Sequence, residues 1–311
     1  MEFYNQNVLD HFNNPRNTGE LANADVELSV GNPECEDYIK VWMRVADDRI
    51  ERFTYKVFGC AAAIATSSAV SEMVTGMTLN DANKLTDDDV TCYLHGLPEG
   101  KEHCSLLGIR AVQQCVLEYR IHQAFDRHQQ SEQMFLTAGI DISAVCQNIA
   151  ERLKRAGVGG EVADIPAYHG FMALALAQNG FSCVAVDKSA DRLDHIDRLA
   201  AYFNVQDHLL TERENILDSE MQDDSFGAVV SCGGLHRLGS LDKALSELVR
   251  ICRPGGRLIL ADINSRGFDL LMKSENTPVP DTQRVYTRLQ THCGQCRLTE
   301  LDYMYIVEAV V

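Results

Sequence analysis

Apolar and polar residues alternate along the early chain in three runs, Val26 to Val30, Tyr38 to Val45 and Ile50 to Phe58. The turn signals Gly31-Asn32-Pro33 and Asp47-Asp48 divide them. Alternation with a period of two puts one face of each run on a core and the other in water, which predicts a small antiparallel meander. After Cys60 the texture changes. Ala61 to Met77 is rich in Ala, Ser and Met at helical spacing, and a long helix is predicted from His103 to about Arg127. Strands followed by helices make an α+β unit.

The stretch from Arg127 to Gln133 is polar without a strong period, so residues 129–140 are expected to be a linker between a first domain, 1–128, and a second, 141–311. The second half alternates differently. Short apolar strands are predicted at Glu161 to Ile165, Ser182 to Val186, Ala228 to Ser231 and Arg257 to Ala261, with helical patterns such as Phe171 to Gln178 and Leu241 to Ile251 between them. Such alternation predicts an α/β Rossmann-like domain with a doubly wound, mainly parallel sheet.

Charge does not divide the chain. Lys+Arg 28 against Asp+Glu 45 gives a net charge of -17, shared almost evenly by the two halves. Polyanions would be repelled, so nucleic acid and anionic membrane surfaces are excluded as expected partners, while protein partners and a homo-oligomer are admitted. Residues Met1 to Asp10 lack the apolar run of a secretory leader, and no stretch approaches about 20 apolar residues, so a cytoplasmic protein is expected. A reducing compartment leaves the 11 cysteines as thiols, and an odd number cannot all pair.

Three of them stand in turns or at element ends: Cys35, followed by Asp37; Cys60, after Gly59; and Cys104, after His103. Thiolates, an imidazole and a carboxylate are the groups that hold Zn²⁺ or an iron–sulfur cluster. Three buried free thiols are the competing reading, because none of these forms a tight C-x-x-C pair. Cys293-Gly-Gln-Cys296 is such a pair, a metal or redox site or simple packing near the last helix-to-strand junction. Cys92, Cys115, Cys146, Cys183, Cys232 and Cys252 lie in apolar patterns and read as core.

Residues 1 to about 125 resemble the IscU/NifU-type iron–sulfur cluster assembly scaffolds, with the NifU branch the nearer match. The resemblance rests on Val8 to Asn17, Gly31-Asn-Pro-Glu-Cys35 with Asp37, Phe58-Gly-Cys60 running into Ala61 to Ala65 with Ser67-Ser68, and Gly96-Leu97-Pro98 with His103-Cys104-Ser105. It implies that Cys35, Cys60 and Cys104 accept sulfide from a cysteine desulfurase and ligate a transient [2Fe–2S] or [4Fe–4S] cluster, with Zn²⁺ as an alternative occupant of the purified protein. Asp37 would keep the site labile, His103 would be a spare ligand, and recipient apo iron–sulfur proteins would take the cluster. A carboxylate binds iron more weakly than a thiolate, so a mixed site should release its cargo more readily. Two departures stand out. Glu36 replaces the family's usual glycine, and the stretch that an Hsp70-type chaperone reads appears as Leu97-Pro-Glu-Gly-Lys101.

In the second half, the strand Gly160 to Asp164, the loop Ile165 to Gly170 and the following helix have the form of a nucleotide site, with Asp187 ending the next strand where ribose hydroxyls are bound. With Arg253-Pro-Gly-Gly256 before a strand, residues 141–311 resemble the class I S-adenosylmethionine-dependent methyltransferases. The resemblance implies cofactor contacts at Asp164, Tyr168, Gly170 and Asp187, and an adenine contact at Glu214 or Asn215. The family's acidic-x-Gly-x-Gly-x-Gly loop, however, reads Asp164-x-Pro166-x-Tyr168-x-Gly170. His236 follows the fourth strand at the ligand-binding edge and reads as structural. Three functions follow as expectations: a scaffold fused to a methyltransferase-like domain, a methyltransferase with a metal-stabilised accessory domain, or an interaction protein whose second domain recruits clients.

Overall fold

The structure is a computed structural model. It describes residues 4–31, 38–98, 103–271 and 281–311, without the side chains of 103–105. Two compact units divide the chain, Met1–Arg120 and Ile121–Val311.

The first unit runs α1 (Gln6–Asn13), β1 (Val26–Gly31), β2 (Tyr38–Ala46), β3 (Arg49–Phe58), α2 (Ala61–Val74), α3 (Leu79–Ala82), α4 (Asp87–Tyr93) and α5 (His103–Thr137), the last crossing the division. The three strands form an antiparallel sheet in sequence order, with Val26 opposite Met43 and Tyr38 opposite Phe58. The predicted meander is therefore the observed one. Ile39, Val41 and Met43 of β2 and Phe53 and Tyr55 of β3 are buried with Ala65, Ala69 and Val70 of α2 and Val112 and Val116 of α5. Small residues let these layers approach closely. A Cβ at Gly108 of α5 would lie 3.2 Å from Val70, so the glycine sets that spacing. Trp42, on the opposite face, is roofed by the ammonium groups of Lys40 and Lys56 at 5.1 and 5.9 Å from its ring.

The second unit continues α6 (Ile142–Arg155), β4 (Val162–Asp164), α7 (Phe171–Gln178), β5 (Cys183–Asp187), α8 (Ala190–Tyr202), β6 (Leu209–Arg213), β7 (Phe226–Cys232), α9 (Leu241–Ile251), β8 (Cys252–Ile263), α10 (Ser265–Leu271), α11 (Thr282–Gln290), β9 (Cys296–Glu300) and β10 (Met304–Val310). Its sheet has the order β6-β5-β4-β7-β8-β10-β9. Neighbours from β6 to β8 are parallel, and β10 is antiparallel to both β8 and β9. The order reverses at β4, so the carboxyl ends of β4 and β7 frame a crevice of the kind that holds ligands in doubly wound sheets. The α/β expectation holds, and the antiparallel pair at one edge completes it.

Two expectations need correction. Residues 129–137 continue α5, because Gln, Glu, Met and Leu are good helix formers and nothing breaks the helix before Gly139, which takes φ +79°. Phe135 and Ile140 then enter the core of the second unit. Cys92 is exposed on α4 and is not a core residue. Cys115, Cys146, Cys183 and Cys252 are buried as expected. No helix of the described residues is long and apolar enough to cross a membrane.

Candidate functional site

In the first unit, Cys60 is the cap residue of α2, partly exposed where β3 passes into the helix. Its side chain makes no capping hydrogen bond to α2. Unpaired N–H groups at such an end favour a negative ligand. Because Tyr38 pairs with Phe58, and their rings stack with centroids 6.1 Å apart, the Cys60 turn lies at the same sheet end as the start of β2. Segment 32–37, which carries Cys35, Glu36 and Asp37, lies outside the described residues. His103 and Cys104 open α5, and their side chains also fall outside the described set.

The other residues behind the first resemblance are framework. His11 Nδ1 bonds Ser68 Oγ at 2.8 Å, and the Arg16 N–H donates to the same hydroxyl at 2.9 Å. Asn17 Nδ2 donates to Ser71 Oγ at 3.2 Å. These bonds tie the first motif to α2, behind Cys60. Asn5 Nδ2 donates to the carbonyls of Leu94 and Gly96, fixing the turn that leads toward α5. Buried polar groups satisfied in this way hold one arrangement of the backbone.

In the second unit, a cavity of about 190 Å³ opens at the ends of β4, β5 and β7, lined by Tyr168, Asp187, Lys188, Arg192, Glu214 and Arg237 among others. Tyr168 takes a left-handed φ of +50°, the conformation of the glycine it replaces. Its ring lies between two guanidinium groups, with Arg192 at 4.4 Å and Arg237 at 5.0 Å. Asp187 is buried and its oxygens are committed. They accept from the Tyr168 N–H at 3.2 Å and the Ser189 N–H at 2.9 Å, and they pair with Arg192 at 3.3 Å. Glu214 and Asn215 both line the cavity.

Asp164 and Gly170 do not line that cavity. Asp164 is fully buried and neither carboxylate oxygen has a hydrogen-bond partner among the described residues. Burial holds its carboxyl well above the usual carboxylate range, against a weaker pull from the Ala173 N–H that stays short of hydrogen-bond geometry. Gly170 caps α7 at φ +77°, where a Cβ would come within 2.8 Å of Ile196 Cγ1. Its role in the described structure is close packing.

Similarity to known proteins follows this division. The family described as "NifU-like N terminal domain" matches residues 3–126, and "Methyltransferase domain" matches 163–260, from β4 into β8. The chain is 47% identical over 116 residues to iron-sulfur cluster assembly scaffold protein IscU 1 of Archaeoglobus fulgidus, covering 37% of this chain and 76% of that protein. The chain belongs to the IscU/NifU scaffold family. Iron-sulfur cluster assembly scaffold protein IscU of Aquifex aeolicus is 42% identical over 122 residues, 39% of this chain and 78% of the relative. Among solved structures, a SAM dependent methyltransferase from Aquifex aeolicus covers 52% of this chain and 88% of its own, at 19% identity and a TM-score of 0.43. Geranyl diphosphate methyltransferase in complex with SAM covers 54% and 84%, at 14% identity and a TM-score of 0.46.

Two of the remaining thiols, Cys252 and Cys293, are held above their ordinary value. Burial, and then Cys293, push the Cys252 thiol up to about 12; burial, and then Cys296, push Cys293 up to about 11. Cys293 and Cys296 are partly buried against the apolar core of the second unit, and among the described residues no three His, Cys, Asp or Glu side chains converge on a metal position. Sequence reasoning missed two features. Arg192 neutralises Asp187 from the first turn of α8, where spacing of five residues along the chain was the available signal. His236 pairs with Asp262 across two strand ends, Nδ1 to Oδ1 at 2.9 Å, and nothing local in the sequence joins them.

Proposed function

We propose that the first unit is an iron–sulfur cluster assembly scaffold, with 1–128 as the scaffold domain. It would build a transient cluster on Cys35, Cys60 and Cys104 from iron and from sulfide supplied by a cysteine desulfurase, then pass it to recipient apoproteins. The observation that carries this reading is the thiol of Cys60, held partly exposed at the capped start of α2 by the His11–Ser68 framework. Asp37 and His103 are the exchange and spare ligands of this reading, and Leu97 to Lys101 is the stretch that an Hsp70-type chaperone would read. A [2Fe–2S] or [4Fe–4S] cluster is cargo here, and Zn²⁺ would compete for the same thiolates.

The direct test is anaerobic reconstitution of the full chain with ferrous iron, cysteine, a cysteine desulfurase and dithiothreitol, the thiol reductant that takes the delivered persulfide sulfur to sulfide. The expected result is a sulfide-to-iron charge-transfer absorption that falls by about tenfold or more in Cys35→Ala, Cys60→Ala and Cys104→Ala, as loss of one ligand in a small set requires. A chromophore that survives all three substitutions would overturn the assignment.

For the second unit, 141–311, the reading we favour is a domain that keeps the methyltransferase architecture without its usual cofactor. The cavity of about 190 Å³ is smaller than the roughly 300–1,000 Å³ of small-molecule sites, and Lys188, Arg192 and Arg237 face a ligand that is itself a sulfonium cation. An active S-adenosylmethionine-dependent methyltransferase is the competing reading, and Asp187, already paired with Arg192, is not free to take ribose hydroxyls as that reading needs.

A further inference from the structure

A second cavity of about 290 Å³ adjoins the Tyr168 crevice, with Leu238 lining both, between the turn Leu235–Arg237, the start of α9 and the start of α11. His236 and Tyr305 line it, with Leu235, Leu238, Leu241 and Val285 as apolar wall and Ser240 and Arg284 as polar wall. Arg284 bonds Asp242 at 2.8 Å, and Asp281 caps α11 through the Arg284 N–H at 2.9 Å, so both charges near the rim are balanced within the chain.

His236 is oriented with care. Its backbone N–H donates to Asp262 Oδ2 at 2.9 Å, and its Nδ1 meets Asp262 Oδ1 at 2.9 Å. Asp262 Oδ1 also accepts the Ile263 N–H at 2.8 Å. A carboxylate facing Nδ1 fixes the ring in one orientation with the proton on that nitrogen, which leaves Nε2 with a lone pair. The side chains of His236 and Asp262 are 2% and 0% exposed. Nε2 is buried and has no hydrogen-bond partner among the described residues. An orphaned polar atom of this kind is destabilising, and a hydrogen-bonding ligand would relieve it. Tyr305 pairs with Asp262 across β10 and β8, so both side chains stand on the same face of the sheet. Burial, and then the charges of Asp262 and Asp281, hold the Tyr305 phenol well above its ordinary value, so it is a hydrogen-bond donor and not a base.

We propose that His236 and Asp262 form a general-base site for a small carbonyl compound with an acidic C–H, with Tyr305 donating to its oxygen. His236 is the catalytic base, and Asp262 is a positioning residue acting through it. In the step, the C–H bond breaks, its proton passes to Nε2, and the electron pair moves onto the carbonyl oxygen beside the Tyr305 hydroxyl. Asp262 balances the imidazolium. Return of the proton to carbon, on the same atom or a neighbouring one, completes an isomerisation and restores the neutral ring, so no oxidant, reductant or metal is consumed. A cavity of this volume, just under the range of drug-sized sites, admits only a compound of a few heavy atoms, and the four apolar side chains keep the base poorly hydrated. The inference is independent of the scaffold reading.

The test uses the full chain with 5-nitrobenzisoxazole, whose ring opens when a base removes its C–H proton and the N–O bond breaks to leave a coloured phenolate. Saturable opening is expected. His236→Gln should lower kcat by about 10² to 10⁴, the usual worth of a positioned base, and Asp262→Asn should lower kcat while leaving KM in place. Ser240→Trp provides a second arm that does not touch the dyad: Ser240 makes no capping hydrogen bond, and an indole there should fill the cavity and abolish saturation with thermal melting unchanged. Opening that is linear in probe for the unaltered protein, or equal rates in the unaltered, His236→Gln and Ser240→Trp proteins, would overturn the proposal.

Discussion

Two turns that lead from a strand into a helix, one in each unit, have kept different things. At Phe58-Gly-Cys60 the cysteine of the proposed cluster site is present, and the framework of the same unit is bonded behind it: His11 to Ser68, Asn17 to Ser71, Asn5 to the turn at Leu94 to Gly96. At Ile165 to Gly170 the residue at 168 is left-handed, and two positions where the resembled family's loop carries glycine carry Pro166 and Tyr168. A fold is specified by many buried contacts and tolerates such a change; a site is specified by a few atoms and does not. The resemblance of the first turn therefore carries chemistry, and that of the second carries architecture.

The sharpest way to break this contrast is to give the second turn its glycine back. Titration calorimetry of the full chain with S-adenosylmethionine is expected to show no binding, whereas Tyr168→Gly removes the ring between Arg192 and Arg237 and suits φ +50°. A gain in affinity of about tenfold or more would follow if the ring alone fills the space, each such contact being worth roughly 0.5–2 kcal/mol. Tight binding by the unaltered protein would remove the contrast altogether.

An effect on stability separates packing from ligand contact at Gly170. Gly170→Ala meets both a left-handed backbone and Ile196 Cγ1 at 2.8 Å, so urea unfolding of the second unit should show a loss of about 2–4 kcal/mol. Were Gly170 there only to admit a ligand, stability would hardly move.

How much of this was legible in the sequence depended on the range of the forces involved. The meander and the β4-to-β8 alternation were legible because burial imposes a period on each strand separately. The β9–β10 edge was not: Cys296 to Glu300 is mostly half-exposed and mixed in polarity, and only pairing with β10 makes it a strand. The linker at 129–140 was misread because a helix whose apolar residues are few still forms when Phe135 and Ile140 find a core beyond it. For the sites, Cys60 and Asp187 were legible from local motif. The neutralisation of Asp187 by Arg192, and the pairing of His236 with Asp262 over 26 positions, are products of tertiary structure.

The last comparison is electrostatic and has the smallest expected effect. Beside the Tyr168 turn, burial and then Arg192 push His169 down to about 4, and burial and then His128 push His195 down to about 4. Both rings are neutral in the folded state and would take a proton near pH 6.5 when unfolded. The unfolded state therefore binds more protons between pH 6.5 and 4, so stability is fully present above that window and is lost as pH falls through it. Each ring contributes at most about 3 kcal/mol, less in practice because both are half-buried. Asp164 acts with the opposite sign: its raised value means the folded state holds the proton more firmly, so acidification relieves its burden. Melting of the full chain at pH 7, 5.5 and 4.5 should accordingly show an acid loss that flattens in His169→Gln and His195→Gln. Asp164→Asn should instead raise stability at pH 7 and steepen the acid loss, because it removes the unpartnered carboxyl and leaves the imidazoles unopposed. If Asp164→Asn were destabilising at pH 7, the carboxyl would have a partner that its buried, unbonded oxygens do not show, and the turn at Ile165 to Gly170 would have kept more of a site than its Pro and Tyr imply.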